Sequence, residues 1–571
     1  MKTIENVKIA RGDALAPLVL KNCKIINVFN GLIEEGNIAI NEGTIVGIGT
    51  YLGKIEHDMK GRYVAPGFID GHVHIESSML TPPQFAQIVM PKGTTSVIAD
   101  PHEIANVSGI EGVKFMIDSS KSSPLDVHIM IPSCVPATSF ETSGANLRSN
   151  DIAMLKHIDG VLGLGEVMDY PGVIFGDETV HKKLEVMGNK VKDGHAPSIE
   201  GNQLNAYKVA GIKTDHECTT VKELNDKVAK GMYIHLREGS ATRNVKVLSK
   251  GVTKANSRRL LFCTDDKHPE DIRIEGHINY NIRLAIENGV DPVTAIQMAT
   301  LNIAECYNLE NIGAIAPGYI ADLVVFNSLK EIDVDLVFKN GVIVARNNVA
   351  LFKPFLMTSQ AVTNTVKIKL DEKIDFDIKL KGSKVKVIQL IENNVTTKKV
   401  IREVNKKSGI YQNNPDDDIL KLAVVERHHK TGNIGLGFVE GYGLKNGAVG
   451  MTIAHDSHNL IIIGDNDEDM LIALNEINRI QGGIVVVNNN KVIDSLTLEV
   501  GGLMTNQDVK IVESKISSME KHVRNMGVKD KVDDPFLSLA FLSLPVIPEL
   551  KLTDKGLFDT SVFNLVPLEV E

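Results

Sequence analysis

Val64-Ala65-Pro66-Gly67-Phe68-Ile69-Asp70-Gly71-His72-Val73-His74-Ile75-Glu76-Ser77-Ser78 is the stretch on which the fold turns. A Pro-Gly pair opens it, a short apolar run follows, and then come two histidines with one valine between them. Alternate residues of a β-strand face one side, so His72 and His74 project together. The apolar run has the composition of a strand buried in a parallel sheet, where functional residues gather at the C-terminal ends. Two imidazoles at such an end make half of a metal site.

Seven further runs repeat the pattern, at residues 94–103, 126–132, 161–166, 190–195, 211–217, 232–238 and 259–266. Almost every one ends in a histidine or a carboxylate, where a purely structural strand would end in turn residues. Eight strands alternating with helical stretches predict a TIM-like (β/α)8 barrel over residues 66–309, its strand-end side chains converging on one rim. Residues 18–63 alternate apolar and polar groups between Gly-rich turns, and residues 321–326 and 334–341 offer matching strands. The simplest solution is a composite β-sandwich domain built from residues 1–65 and 310–360. The rest, residues 361–571, reads as an additional α/β domain. Within it, residues 469–481 carry helical spacing up to Gly482-Gly483, and Ile484-Val485-Val486-Val487 reads as a buried strand.

A chain of 571 residues exceeds one core and divides into about two to four domains. The apolar fraction of 43% and charged fraction of 23% are those of an ordinary globular protein. A net charge of -10 argues against a nucleic-acid partner. Five scattered cysteines without a C-x-x-C pair exclude a thiolate zinc cluster and suit a reducing compartment. The first residues show no signal-peptide pattern, and no run approaches the roughly 18 apolar residues of a membrane span. We therefore expect a soluble cytoplasmic protein with no membrane partner.

A two-metal hydrolytic site needs several neutral imidazoles, a bridging anion and a carboxylate near the activated water. The strand ends supply His72 and His74, Glu166, His195, His216 and Asp265. Each has a plainer use. Glu166 could be a solvated carboxylate, His195 and His216 satisfied rim histidines, and Asp265 or Asp266 a helix cap. Chance does not put metal-ligand residue types at so many consecutive strand ends.

His72-Val73-His74 on strand one, histidines on strands five and six and an aspartate on strand eight resemble the amidohydrolase superfamily, as does the segment at residues 313–324. More narrowly, the chain is similar to the adenine deaminases of that superfamily. The matching segments include Asp100-Pro101-His102-Glu103, Gly163-Leu164-Gly165-Glu166-Val167-Met168, Asp193-Gly194-His195-Ala196-Pro197 and Thr214-Asp215-His216-Glu217. They continue in Arg237-Glu238-Gly239-Ser240, Thr264-Asp265-Asp266-Lys267 and Ala454-His455-Asp456-Ser457-His458-Asn459. One departure is Ser198-Ile199-Glu200, where the family has small residues.

The resemblance implies an amidohydrolase barrel holding two divalent ions, manganese first, with iron or zinc as alternatives. Its metal ligands would be His72, His74, Glu166, His195, His216 and Asp265, with Glu166 in place of the carboxylated lysine that bridges the ions in many superfamily members. The implied reaction is hydrolytic deamination of adenine to hypoxanthine and ammonia, a step of purine salvage, by a metal-bound hydroxide. Asp265 would then shuttle the proton, with Glu238 or Glu76 as the acid for the purine ring. The alternatives are another amidohydrolase reaction, on a different aminopurine or a cyclic amide, and a non-catalytic metal-binding barrel. The zinc cytidine-deaminase class falls, because it needs a Pro-Cys-x-x-Cys pair. His455 and His458 read either as a polar turn before a buried strand or as a cover for the barrel mouth that helps hold the purine. The oligomeric state stays open, with the C-terminal region offering an interface for a homo-oligomer.

Overall fold

The computed structural model describes residues 2–370, 374–392, 394–414 and 417–570. Each of the eight runs forms a strand. β1 (Phe68–Val73), β2 (Thr94–Ala99), β3 (Asp126–Ile131), β4 (Val161–Val167) and β5 (Val191–Gly194) pair in parallel and in sequence order. β6 (Thr214–Asp215), β7 (Tyr233–Arg237) and β8 (Leu260–Cys263) form a second parallel run.

Two seams join these runs into a closed barrel. Between β5 and β6, Lys213 N–H donates to Lys192 O (2.9 Å) and Gly194 N–H to the Thr214 hydroxyl oxygen (3.3 Å). Between β8 and β1, Asp265 N–H donates to His72 O (2.9 Å) and His74 N–H to Asp265 O (3.2 Å). One of the rim carboxylates is therefore also the residue that fastens the barrel.

Ile69, Ile98, Met130 and Leu261 pack as one buried cluster with Tyr307 of the helix Leu301–Tyr307. The Tyr307 hydroxyl lies 3.0 Å from Gly71 O and from both Asp193 oxygens. A fully buried aliphatic side chain contributes roughly 1.5–3 kcal/mol, so this apolar layer is rigid support for the polar rim.

The strands before and after the barrel join in one nine-stranded sheet. Tyr63–Pro66 forms its junction, pairing with Ala16–Asn27 on one side and with Leu323–Phe326 on the other. Leu20, Ile25, Ile40, Val64, Leu323 and Phe338 bury together on one face of this sheet, so neither flank alone completes the core.

Beyond residue 380 an eight-stranded sheet carries the helix Asp467–Ile480. Asn466 caps the start of that helix by accepting Asp469 N–H, and Gln481 ends it in the left-handed region. Strand Leu460–Gly464 lies inside this sheet and is fully buried. Loops at one end of the sheet dock on the barrel rim. Asn459 donates to Thr142 O (2.9 Å), His429 to Ser143 O (2.9 Å), and Thr505 N–H to Met79 O (2.9 Å). Among the described residues, no helix is long and apolar enough to cross a membrane.

Candidate active site

Glu166 lies at the centre of the rim, near the end of β4. Its position is set from behind. Asp100 accepts Glu166 N–H (2.8 Å), and a Cβ at position 165 would overlap the Asp100 carboxylate, so only glycine lets the two chains approach. Each Glu166 oxygen then stands between two imidazoles. Oε1 is 3.2 Å from His74 Nε2 and 3.3 Å from His102 Nδ1; Oε2 is 2.7 Å from His195 Nδ1 and 3.2 Å from His216 Nε2. Burial would push this carboxyl upward, but the hydrogen bonds to His102 and His195 hold it well below the usual carboxylate range.

His74 donates from Nδ1 to Asp100 O (2.8 Å), which orients the ring and turns Nε2 toward the cluster. His72 Nε2 is 3.2 Å from His74 Nε2, and the His72 ring stacks on His216 with centroids 4.3 Å apart. Asp265 Oδ1 lies 3.0 Å from His74 Nε2, while Oδ2 accepts from Arg237 Nη1 at 2.5 Å. Arg237 also donates to Glu217 Oε1 (2.6 Å), which itself lies 3.4 Å from His216 Nε2. Against its burial, Arg237 and His74 hold Asp265 ionised, its pKa well below the ordinary value. Asp265 takes φ 62°, a left-handed conformation that a short polar residue tolerates.

His72, His74, Glu166, His195, His216 and Asp265 thus come together at one rim. Asp266 also reaches this rim, its carboxylate within 4.8 Å of His74 and Asp265, and accepts from the Ser77 hydroxyl (2.5 Å). Glu76 is buried facing Glu103, His74 and His102; burial, then Glu103, pushes it up to about 8. One of its oxygens accepts Ile104 N–H (3.3 Å) and the other has no partner among the described residues. Glu238 is not brought to the cluster. Its carboxylate accepts Val245 N–H (3.1 Å) and faces Lys267 and Arg243, because His235 and Arg237 take the inward positions of β7. Glu200, in the departing loop, is exposed and paired with Lys222.

His102 is a functional candidate that the strand-end reading missed. It opens the helix His102–Ser120, just past the end of β2, and the signal was the Asp-Pro-His-Glu string itself. From the C-terminal sheet, His455 Nδ1 reaches Glu103 Oε1 (3.3 Å) and Asp456 Oδ1 stands 3.9 Å from His102 Nε2. Glu103 Oε2 is 3.8 Å from His458 Nε2. The turn at residues 454–459 therefore both precedes a buried strand and covers the barrel mouth.

Two family models match the chain: the amidohydrolase family over residues 63–344, and the adenine deaminase C-terminal domain over residues 394–564. The adenine deaminase of Clostridium acetobutylicum is 50% identical over 98% of this chain and 99% of its own length. Adenine deaminase 2 of Carboxydothermus hydrogenoformans is 47% identical over 100% of both chains, and the Geobacillus kaustophilus adenine deaminase is 45% identical over 99% of both. The chain belongs to the adenine deaminase family. Both matched regions reach the site: the amidohydrolase part supplies the rim, and the adenine deaminase C-terminal part supplies His455, Asp456 and His458 above it.

Proposed function

We propose that the chain hydrolyses adenine to hypoxanthine and ammonia at a dinuclear metal site. The observation that carries this reading is Glu166, each of whose oxygens faces two imidazoles from different segments of the rim. The donor set fits two divalent ions. His72, His74 and Asp265 would hold one, His195 and His216 the other, and Glu166 would bridge them. Buried imidazoles and carboxylates without a thiolate suit Zn(II), Fe(II) or Mn(II) alike, and it is the family resemblance that puts Mn(II) first. When bound, such ions lower the pKa of water from about 15.7 toward 7.

The chain's own residues perform the proton work. Asp265 is ionised and held by Arg237, so it can accept the proton of the attacking water and pass it to the departing amine. Glu76, at about 8, carries a proton at neutral pH and can give it to a ring nitrogen of the purine. We assign the ring acid to Glu76 rather than Glu238 on this geometry. The free, buried state of all five cysteines supports a reducing, cytoplasmic setting, and the C-terminal region is the face we assign to homo-oligomer contacts.

The test is turnover by protein reconstituted with Mn(II) of adenine, guanine and cytosine, each alone and read as ammonia release, and of hydantoin, read as ring opening. Adenine should be turned over fastest. A protein holding two ions per chain that releases no ammonia from adenine overturns the reading.

Two variants refine it. Glu76→Gln should keep both ions and lose roughly 10²-fold in kcat, the range for a missing general acid. A rate near wild type would return the role to another group. His455→Ala should raise KM for adenine without stripping metal, because the Glu103 carboxylate loses its partner above the mouth. Unchanged kinetics with a lowered melting temperature would mean that the turn serves only packing.

A further inference from the structure

The end of the barrel opposite the rim gathers charge of the other sign. Lys190 and Lys192 lie at the start of β5, Lys213 just before β6, Arg259 just before β8, and Lys208 on the helix Gly201–Val209. These five cations line one open cavity of about 400 Å³. Gly188, Gly211 and Gly231 form part of its wall, and a Cβ at position 211 would come within 3.6 Å of Lys192 Nζ. No aspartate or glutamate is among the described residues that line it. In a chain of net charge -10, that segregation needs a cause.

The lysine heads are held in place by main-chain carbonyls. Lys190 donates to Val161 O (2.6 Å), Lys192 to Gly188 O (2.6 Å), Lys208 to Ile212 O (3.0 Å) and Lys213 to Cys306 O. Arg259 lies over the Tyr233 ring at 4.5 Å. Among the described residues none of the five forms an ion pair, whereas lysines elsewhere on this surface do, as Lys182 with Glu178 and Lys222 with Asp226. A carbonyl bond uses one of the three donors of an ammonium group and leaves two for another partner. Burial, then Arg259 and Lys213, lower the pKa of Lys208, and burial lowers that of Lys192, so the cluster is a cost to the protein alone.

Capping of main-chain carbonyls at helix, loop and strand ends explains each lysine singly. It does not explain five cations around one cavity from which carboxylates are excluded. We propose that this cavity is a binding site for a small phosphate-bearing anion, separate from the catalytic rim. Its volume falls within the roughly 300–1,000 Å³ of small-molecule sites and exceeds what one phosphate group fills, leaving room for a sugar or nucleoside ester. Lysines serve as phosphate binders through point charge and several donors, which is the chemistry presented here.

The test is calorimetric titration of the metal-loaded enzyme at low ionic strength with three probes: inorganic phosphate, ribose 5-phosphate and uridine monophosphate. Uridine monophosphate carries a pyrimidine, and ribose 5-phosphate no base, so neither resembles a purine substrate. At least one probe should bind saturably, once per chain, and more weakly as salt is raised. Binding of phosphate alone assigns the free anion, and binding of an ester in preference assigns the ester. The double variant Lys208→Gln/Lys213→Gln should weaken binding roughly tenfold or more while adenine turnover stays at its wild-type value. Lys192→Gln/Arg259→Gln should do the same and serves if the first variant folds poorly. Absence of saturable binding for all three probes overturns the proposal. So does equal weakening by the paired surface lysines in Lys182→Gln/Lys222→Gln, which would reduce the effect to overall charge.

Discussion

His74→Ala protein should purify folded but without its cations, and should show no measurable deamination of adenine. The expectation follows from how much converges on one nitrogen. His74 Nε2 stands 3.0 Å from Asp265, and 3.2 Å from both Glu166 and His72 Nε2, while its Nδ1 is tied to Asp100 O. Alanine removes a ligand and also the group that faces two buried carboxylates. Removing one partner of a buried charge set typically costs about 3–5 kcal/mol, because the remaining charge stays desolvated. Metal content per chain, read by elemental analysis beside a circular dichroism spectrum, decides the matter. Two ions retained per folded chain would sink the ligand assignment.

Asp265→Asn is the second large effect, and it separates chemistry from binding. The amide keeps the shape of the carboxylate and tolerates the same left-handed backbone, so the main-chain bonds to His72 and His74 should survive. It cannot take up a proton. Most of the metal should remain, and kcat should fall by roughly 10²-fold or more, the range for a general base. Asp266→Asn is the matched comparison, since Asp266 lies beside Asp265 and His74 at the same rim and accepts from the Ser77 hydroxyl. If Asp266→Asn were as damaged and Asp265→Asn mild, the shuttle would belong to Asp266.

What could be read from the chain followed from period. Barrel strands are short apolar runs, and a run that ends in His, Glu or Asp announces its rim residue, so the placing of His72, His74, Glu166, His195, His216 and Asp265 at the rim is legible in the sequence. His102 escaped because it lies beyond the strand, past a proline, where the two-residue alternation no longer applies. Glu238 was drawn in for the opposite reason. It ends a strand-like run, but with His235 and Arg237 facing inward, alternation sends position 238 to the other side. The cover supplied by His455 and Asp456 joins residues more than three hundred positions apart. Such a contact depends on how two sheets dock, which no local pattern carries.

The seam at Asp265 ties two equilibria together. Its peptide group clasps β8 to β1, and its carboxylate faces the nitrogen that would ligate a cation. Whatever binds that carboxylate in the closed barrel but not in an opened one must favour closure by the same free energy. The rim is then not a passive socket. An ion held there would act as a latch on the fold, resisting local opening of the β8–β1 junction.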